Sequence, residues 1–258
     1  MSQIQELIAK HCPEGVEYVG LGSIAAVGTG SSDRKDSIED GPYPFFVRSQ
    51  TVIKSDTFEF DEEAIIIPGE GGIGDIFHYV KGKYALHQRA YRISFGTEKV
   101  LTRFAYYWLL SHFKEFILKK AVSATVVSIR KPMITEFPIP LVPIEVQEEI
   151  VRILDLFTEL EAELEAELEA RRKEYEFYRD QLLTFPEEGG VRWLPMGDVV
   201  RIRNGRDYKH LGPGDVPVYG SGGVMTYVDT PAYSKPSVLI PRKGSLSKIY
   251  FRDEPFWT

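Results

Sequence analysis

A ten-residue block near the start of this chain returns after a long charged stretch, and that return constrains the fold more than any single motif. Gly15-Val16-Glu17-Tyr18-Val19-Gly20-Leu21-Gly22-Ser23-Ile24 is answered by Gly190-Val191-Arg192-Trp193-Leu194-Pro195-Met196-Gly197-Asp198-Val199, a shift of 175 positions without gaps. Ala64-Ile65-Ile66-Ile67-Pro68 is matched by Ser237-Val238-Leu239-Ile240-Pro241 at a shift of 173. Pro44 with Pro217, Gly71 with Gly244 and Ile76 with Ile249 keep that second shift, so two residues were lost between the blocks. At that shift Thr258 corresponds to Ala85, and the second copy is expected to stop in mid-strand. A period this long is unlike the short repeats of solenoids. The pattern predicts an α+β chain: a β-rich first domain with flanking helices over 1–143, a long spacer helix over 144–185, and an incomplete second copy over 186–258.

With 258 residues, 43% of them apolar, the chain can bury more than one core. The single cysteine, Cys12, excludes a disulfide framework within the chain and fits a reducing compartment. No apolar run approaches the roughly 18 to 20 residues a membrane span needs, and Met1-Ser2-Gln3-Ile4-Gln5 lacks the character of a signal peptide. A soluble cytoplasmic protein with no membrane partner is expected. The net charge of −7 is unevenly spread. Acidic residues crowd 145–176, whereas 81–131 holds eleven Lys or Arg against Glu98 and Glu115, and Arg192 to Lys209 is again basic. Basic domains on an acidic spacer are compatible with a polyanionic ligand, and equally with a solvated basic face.

Ile4, Leu7 and Ile8 mark one face of a short helix that stops near Pro13. Val52-Ile53, Ala64 to Ile67, Ile76 to Val80 and Tyr91 to Phe95 read as strands between Gly and Pro punctuation. From Thr102 to Lys119 the period becomes helical, with Phe104, Tyr107, Trp108, Leu110, Phe113, Phe116 and Ile117 on one face and Thr102 as N-cap. A strand-like run follows at Val126 to Ile129. The alternating prolines of Phe137 to Pro143 predict extended chain. Ile144 to Leu183 then reads as one helix, a rod of roughly 60 Å. Leu154, Phe157, Leu160, Leu164, Leu168, Tyr175 and Tyr178 recur on it at helical steps. An amphipathic rod this long needs a partner helix for its stripe, in cis or in trans.

Gly69-Glu70-Gly71-Gly72-Ile73-Gly74 satisfies G-x-G-x-x-G, but a dinucleotide site needs a helix directly afterwards. Asp75-Ile76-Phe77-His78-Tyr79-Val80 is a strand pattern, and the second copy writes Arg242-Lys243-Gly244 here, so a hairpin turn is expected. The five histidines lie singly, and no Cys/His pair has metal-ligand spacing. Cys12 has no activating neighbour. Asp61-Glu62-Glu63 reads as a solvated turn rather than paired catalytic acids. The expectation is a chain without catalytic residues, metal or cofactor. What remains suits binding: Arg48, Ser49, Gln50 and Lys54, then Gln88 and Arg89, then Ser123, Thr125, Ser128, Arg130 and Lys131, all in loop-like settings. Arg and Gln can pair with guanine and adenine edges, while Ser, Thr and Lys serve phosphates.

Three elements together resemble the specificity subunits of type I restriction–modification systems. They are Ser128-Ile129-Arg130-Lys131, Phe137-Pro138-Ile139-Pro140-Leu141-Val142-Pro143 running into Ile144-Glu145-Val146-Gln147-Glu148-Glu149-Ile150-Val151, and the helix tail Tyr175-Glu176-Phe177-Tyr178-Arg179-Asp180. The resemblance spans nearly the whole chain. It implies target-recognition domains that each read half of a bipartite site in double-stranded DNA. It also implies spacer helices that pair antiparallel and dock methyltransferase subunits, with a restriction subunit as a further partner. S-adenosylmethionine, ATP and Mg2+ would then sit on those partner subunits. The chain departs from the family pattern in lacking the second long helix. It is either a fragment or a shortened form whose one helix pairs with that of a second copy. Two other readings compete: a coiled-coil adaptor whose duplicated domains bind protein, and a nucleotide-dependent enzyme using the glycine-rich loop.

Overall fold

The computed structural model describes residues 3–120, 128–186, 189–244 and 247–258, which divide into two units, 1–178 and 179–258. The first unit opens with α1 (Gln3–His11), β1 (Glu17–Gly20), β2 (Ala25–Thr29), β3 (Tyr43–Phe46) and β4 (Ile53–Ser55). Three long strands come next, β5 (Phe60–Pro68), β6 (His78–Leu86) and β7 (Ala90–Phe95). Then come α2 (Thr102–Lys120), α3 (Lys131–Thr135), β8 (Pro138–Leu141) and α4 (Ile144–Leu183).

Six strands form one sheet in the order β2-β7-β5-β6-β3-β4, antiparallel except where β3 runs beside β6. The unbroken apolar run Ala64 to Ile67 is explained by β5 lying centrally with both faces covered. Ile65 and Ile67 face α2 through Phe104, Ala105, Leu109, Phe113 and Ile117. Ala64 and Ile66 face a second core of Phe46, Val80, Tyr84, Leu86 and Ala90, around which the sheet curls. The curl is nearly closed, because the chain leaving β2 meets the exit of β6: Ser32 bridges His87, and Ser32 N–H donates to the Leu86 carbonyl at 3.2 Å.

The structure corrects several expected details. On α2 it is Leu109 that is buried, whereas Leu110 faces outward, because the sheet takes the stripe 105, 109, 113. β6 begins at His78 and runs on to Leu86, its pattern obscured by the exposed Lys81 and Lys83 beside Gly82. β2, with small residues, and β3, with Pro44, carry no strand signal of their own and are held by their neighbours. Half of the expected strand at Val126 to Ile129, residues 126 and 127, lies outside the described residues. The glycine-rich loop joins the antiparallel β5 and β6, and a strand comes after it rather than a helix, so the nucleotide-site reading fails.

α4 starts where β8 pairs antiparallel with β1, and its first turns are fixed on the domain. Gln147 is fully buried; its amide oxygen accepts from Leu101 N–H at 2.8 Å, and its nitrogen donates to the carbonyls of Lys99 at 2.8 Å and Val142 at 2.7 Å. Further along the helix, Asp155 accepts from Arg103 Nε at 2.8 Å and from the Tyr107 hydroxyl at 2.5 Å.

The second unit holds α5 (Met196–Val199), β9 (Val216–Gly220), β10 (Gly223–Val228), β11 (Ser237–Leu239) and β12 (Tyr250–Arg252). Its pairings repeat those of the first unit. Tyr43 opposite Ser55 and Phe45 opposite Ile53 become Val216 opposite Val228 and Val218 opposite Thr226, at the shift of 173 expected from sequence. The next strand has slipped by one. Phe45 beside Ala85 becomes Val218 beside Trp257, and Phe60 opposite Tyr84 becomes Tyr233 opposite Phe256, so the chain from β12 to the last residue stands at a shift of 172. Thr258 therefore matches Leu86 and not Ala85. A backbone contact agrees: a Cβ on Gly30 would fall 1.8 Å from the Leu86 carbonyl oxygen, and one on Gly205 would fall 2.4 Å from the Thr258 carbonyl carbon. The block after Gly190 keeps a helical turn, Leu21–Ser23 in the first unit and Met196–Val199 here, but not its strand, because among the described residues this unit has no counterpart of β8 to pair with it.

Candidate nucleic-acid interface

The strand exits of the first unit bring four segments and Ser128 to one edge of the sheet. The chain leaving β3 carries Arg48, Ser49 and Gln50; the loop after β5 carries Glu70; the turn between β6 and β7 carries His87, Gln88 and Arg89; the chain leaving β2 carries Ser31 to Asp33. Backbone bonds tie these together. His87 N–H donates to the Phe46 carbonyl at 3.0 Å, Gly69 N–H to Arg89 at 2.8 Å, and Ile129 N–H to Gly69 at 2.8 Å, while Ser128 bridges Glu70. Gly69 is required here, since a Cβ would sit 2.8 Å from the Arg89 carbonyl oxygen.

Side chains at this edge are held by carboxylates. Arg48 Nη1 and Arg89 Nη1 both donate to Glu70 Oε2, at 3.0 and 3.2 Å. Gln88 donates to Asp33 at 3.0 Å. Asp33 is held below its usual range by hydrogen bonding from Lys35 N–H and from Gln88. Beneath them Glu59 clamps the β2 exit to β6. It accepts from the backbone and hydroxyls of Ser31 and Ser32, between 2.5 and 3.2 Å, and from Leu86 N–H at 3.4 Å. Burial alone would raise the Glu59 carboxyl; the bonds from Ser32 and Ser31 outweigh it and hold the group below the usual range. His87 is buried, and burial first, then Arg48, depresses its pKa; its Nδ1 accepts from Arg89 N–H at 3.0 Å.

Of the residues expected to contact DNA, Arg48, Ser49, Gln50, Gln88, Arg89 and Ser128 gather at this edge. Lys54 is exposed on β4, where its backbone bridges Ile38. Arg130 caps α3 and Lys131 begins it, both exposed. Ser123 and Thr125 lie outside the described residues. Sequence reasoning missed Glu70, Asp33 and Glu59. Their signal is the pair of serines after β2 and a lone Glu before Phe60, which has no meaning until the sheet curls. Part of the basic tract 81–131 is neutralised in place: Arg92 pairs with Glu62 at 2.7 Å, Arg103 with Asp155 at 2.8 Å, Lys114 with Asp75 at 2.6 Å and Lys119 with Glu115 at 2.6 Å.

On α4 the expected stripe divides. Leu154 is half-buried beside Ile8, Tyr18, Phe104 and Trp108 of its own domain. Phe157, Leu160, Leu164, Leu168, Tyr175 and Tyr178 are exposed, Leu164 at 66% and Tyr175 at 67%. Phe157, Leu160, Leu164 and Leu168 line a shallow apolar groove edged by Glu161 and Glu165. Among the described residues no His, Cys, Asp or Glu cluster could hold a metal, and no helix is long and apolar enough to cross a membrane.

The family described as the type I restriction modification DNA specificity domain matches residues 13–170, from just before β1 to two-thirds of the way along α4. The chain belongs to that family. A putative type I restriction enzyme specificity subunit of Haemophilus influenzae is 30% identical over 225 residues, covering 80% of this chain and 56% of that protein. The EcoR124I/EcoR124II specificity subunit of Escherichia coli is 42% identical over 107 residues, 39% of this chain and 25% of that one. The chain thus spans between a quarter and about half the length of these curated relatives. A crystal structure of a type I restriction–modification S subunit from M. genitalium superposes with a TM-score of 0.65 at 20% identity, covering 94% of this chain and 70% of the other, so the two share their fold.

Proposed function

We propose that this chain is a DNA-recognition subunit of a type I restriction–modification complex and itself carries out no reaction. In this reading residues 1–143 read half of a double-stranded target through the edge that gathers Arg48, Gln50, Gln88 and Arg89. Lys54, Arg130 and Lys131 meet phosphates, and 186–258 belong to a second reader joined by the spacer at 144–185. The exposed stripe of α4 docks methyltransferase subunits and pairs with a partner helix, the α4 of a second copy in a homodimer; a restriction subunit joins the larger assembly. S-adenosylmethionine, ATP and Mg2+ belong to those partners, in the cytoplasm. What carries the proposal is the convergence of Arg, Gln and Ser side chains from separate strand exits on one edge, in a member of this family. Loops on a rigid frame are where proteins place recognition.

The test is binding of random-sequence duplex DNA by the chain assembled with its methyltransferase subunits, at low and at moderate salt. With about four phosphates neutralised, affinity should fall by about 100-fold between about 50 and 200 mM salt. Binding that is indifferent to salt would favour the adaptor reading, which the exposed leucines of α4 also fit. Replacing Leu160 and Leu164 by Glu should block assembly and leave melting of the first unit unchanged.

A further inference from the structure

We propose that Glu70 is a specificity-determining residue of the first unit: one carboxylate that orients Arg48 and Arg89 so that they present their remaining donors to guanine. This rests on the reading above that this edge meets DNA, and it adds to that reading a base type and a residue to which no role is otherwise assigned.

The geometry carries the argument. Among the described residues each guanidinium gives only its Nη1 to the same oxygen, Glu70 Oε2, at 3.0 and 3.2 Å. An arginine has five N–H donors in a planar fork, so each keeps enough to pair twice with the O6 and N7 acceptors of a guanine. The three side chains project from different segments, and the backbone bonds Gly69 to Arg89, His87 to Phe46 and Ile129 to Gly69 fix those segments to one another. Such a group is ordered before any ligand arrives, which lowers the cost of immobilising two long side chains on binding.

Stability does not account for the arrangement. The Glu70 side chain is 41% exposed and those of Arg48 and Arg89 are 46% and 56% exposed, and pairs this open contribute little to folding. Nor is the carboxylate suited to phosphate, since it halves the positive charge of the cluster. A negative group between two arginines weakens general attraction to DNA and improves discrimination by it.

That combination gives a distinctive test. The full chain, assembled with its methyltransferase subunits, is incubated with a pool of random-sequence duplexes, and the retained duplexes are sequenced for the natural protein, for Glu70→Gln and for Arg89→Ala. The natural protein should enrich a motif containing guanine. Arg89→Ala should lower preference at one guanine by about 5- to 150-fold. Glu70→Gln should lower preference at guanine positions several-fold, while the total DNA retained at low salt holds or rises, with a melting temperature within about 2 °C of the natural protein. A Glu70→Gln motif identical to the natural one overturns the proposal, and so does a natural motif without guanine. A Glu70→Gln protein that loses all binding together with its melting transition shows a structural residue and overturns it as well. Natural protein that retains no duplex at all refutes the DNA reading itself.

Discussion

Replacing Gln147 by Leu should unseat the base of the long helix, and the size of the effect can be worked from its surroundings. Gln147 has no solvent exposure and makes three hydrogen bonds, one received from Leu101 N–H and two given to the carbonyls of Lys99 and Val142. Leu has similar volume and offers none of them. At about 0.5–1.5 kcal/mol for each bond, with a further cost for the backbone groups left unpaired, the loss comes to about 3–6 kcal/mol. For a unit of this size each kcal/mol lowers the melting temperature by about 2–4 °C, so a fall of about 6–24 °C is expected. Breaking the exposed Glu115–Lys119 pair, with side chains 69% and 74% exposed, should leave the melting temperature unmoved and serves as the control. Gln147→Glu separates hydrogen bonding from shape: it keeps the acceptor for Leu101 but turns one oxygen toward the two carbonyls that Nε2 bonds, so it should be at least as damaging as Leu. The assay is thermal unfolding of the full chain, with amide exchange at Leu101 as the local probe. A fall under about 3 °C for Gln147→Leu, with unchanged protection at Leu101, would refute the reasoning.

Acid should weaken the first unit in two stages. Burial depresses the pKa of both His78 and His87, so the unfolded chain binds their protons first as pH drops below about 6.5, and stability declines from there; His87→Asn should lessen that decline. Glu59 is also depressed, and its contribution, complete above the ordinary carboxylate range, is lost as pH falls further, so Glu59→Gln should lessen the lower stage, to which Asp33 also contributes, in a melting series from about pH 7 to 3. In the second unit, Trp257→Ala removes a side chain that is 6% exposed, packed with Val218 and Val228, at a cost of about 3–5 kcal/mol. Limited proteolysis should then cut within 189–258 while the melting of the first unit is unmoved, and an unchanged digestion pattern would contradict the core assigned to it.

How much of this was legible in the sequence depended on how local each signal is. The α4 helix was readable from end to end because its period recurs along a single element of 40 residues, and the Gly-rich loop declared itself a turn through the strand pattern after it. β2 and β3 were not readable, since Gly28 and Pro44 oppose strand formation and only pairing with β7, β4 and β6 overrides them. Arg48 and Arg89 stood out as cations in loops, but nothing local shows that they share Glu70. That meeting exists only once residues 22 and 19 positions apart are folded together. Likewise Phe157 and Leu154 belong to one stripe in sequence, and only the packing of α1 and α2 against the helix base separates the covered leucine from the open phenylalanine.

The two units show which parts of this frame are fixed and which are free. Gly30 and Gly205 both admit a carbonyl closer than any Cβ would permit, so that position is set by backbone geometry in either copy. Phe45 beside Ala85 is exchanged for Val218 beside Trp257, large with small for small with large, so the paired strands keep their spacing while neither residue is kept. At the strand exits even the chemistry changes: Arg48 and Gln50 give way to Ser221 and Gly223, and Glu70 to Lys243. A Glu70-centred pair of arginines therefore cannot form in the second unit. Packing constrains volume, close approach constrains glycine, and neither reaches the exit loops. The paired strands of the frame can therefore be repeated and still carry a different surface.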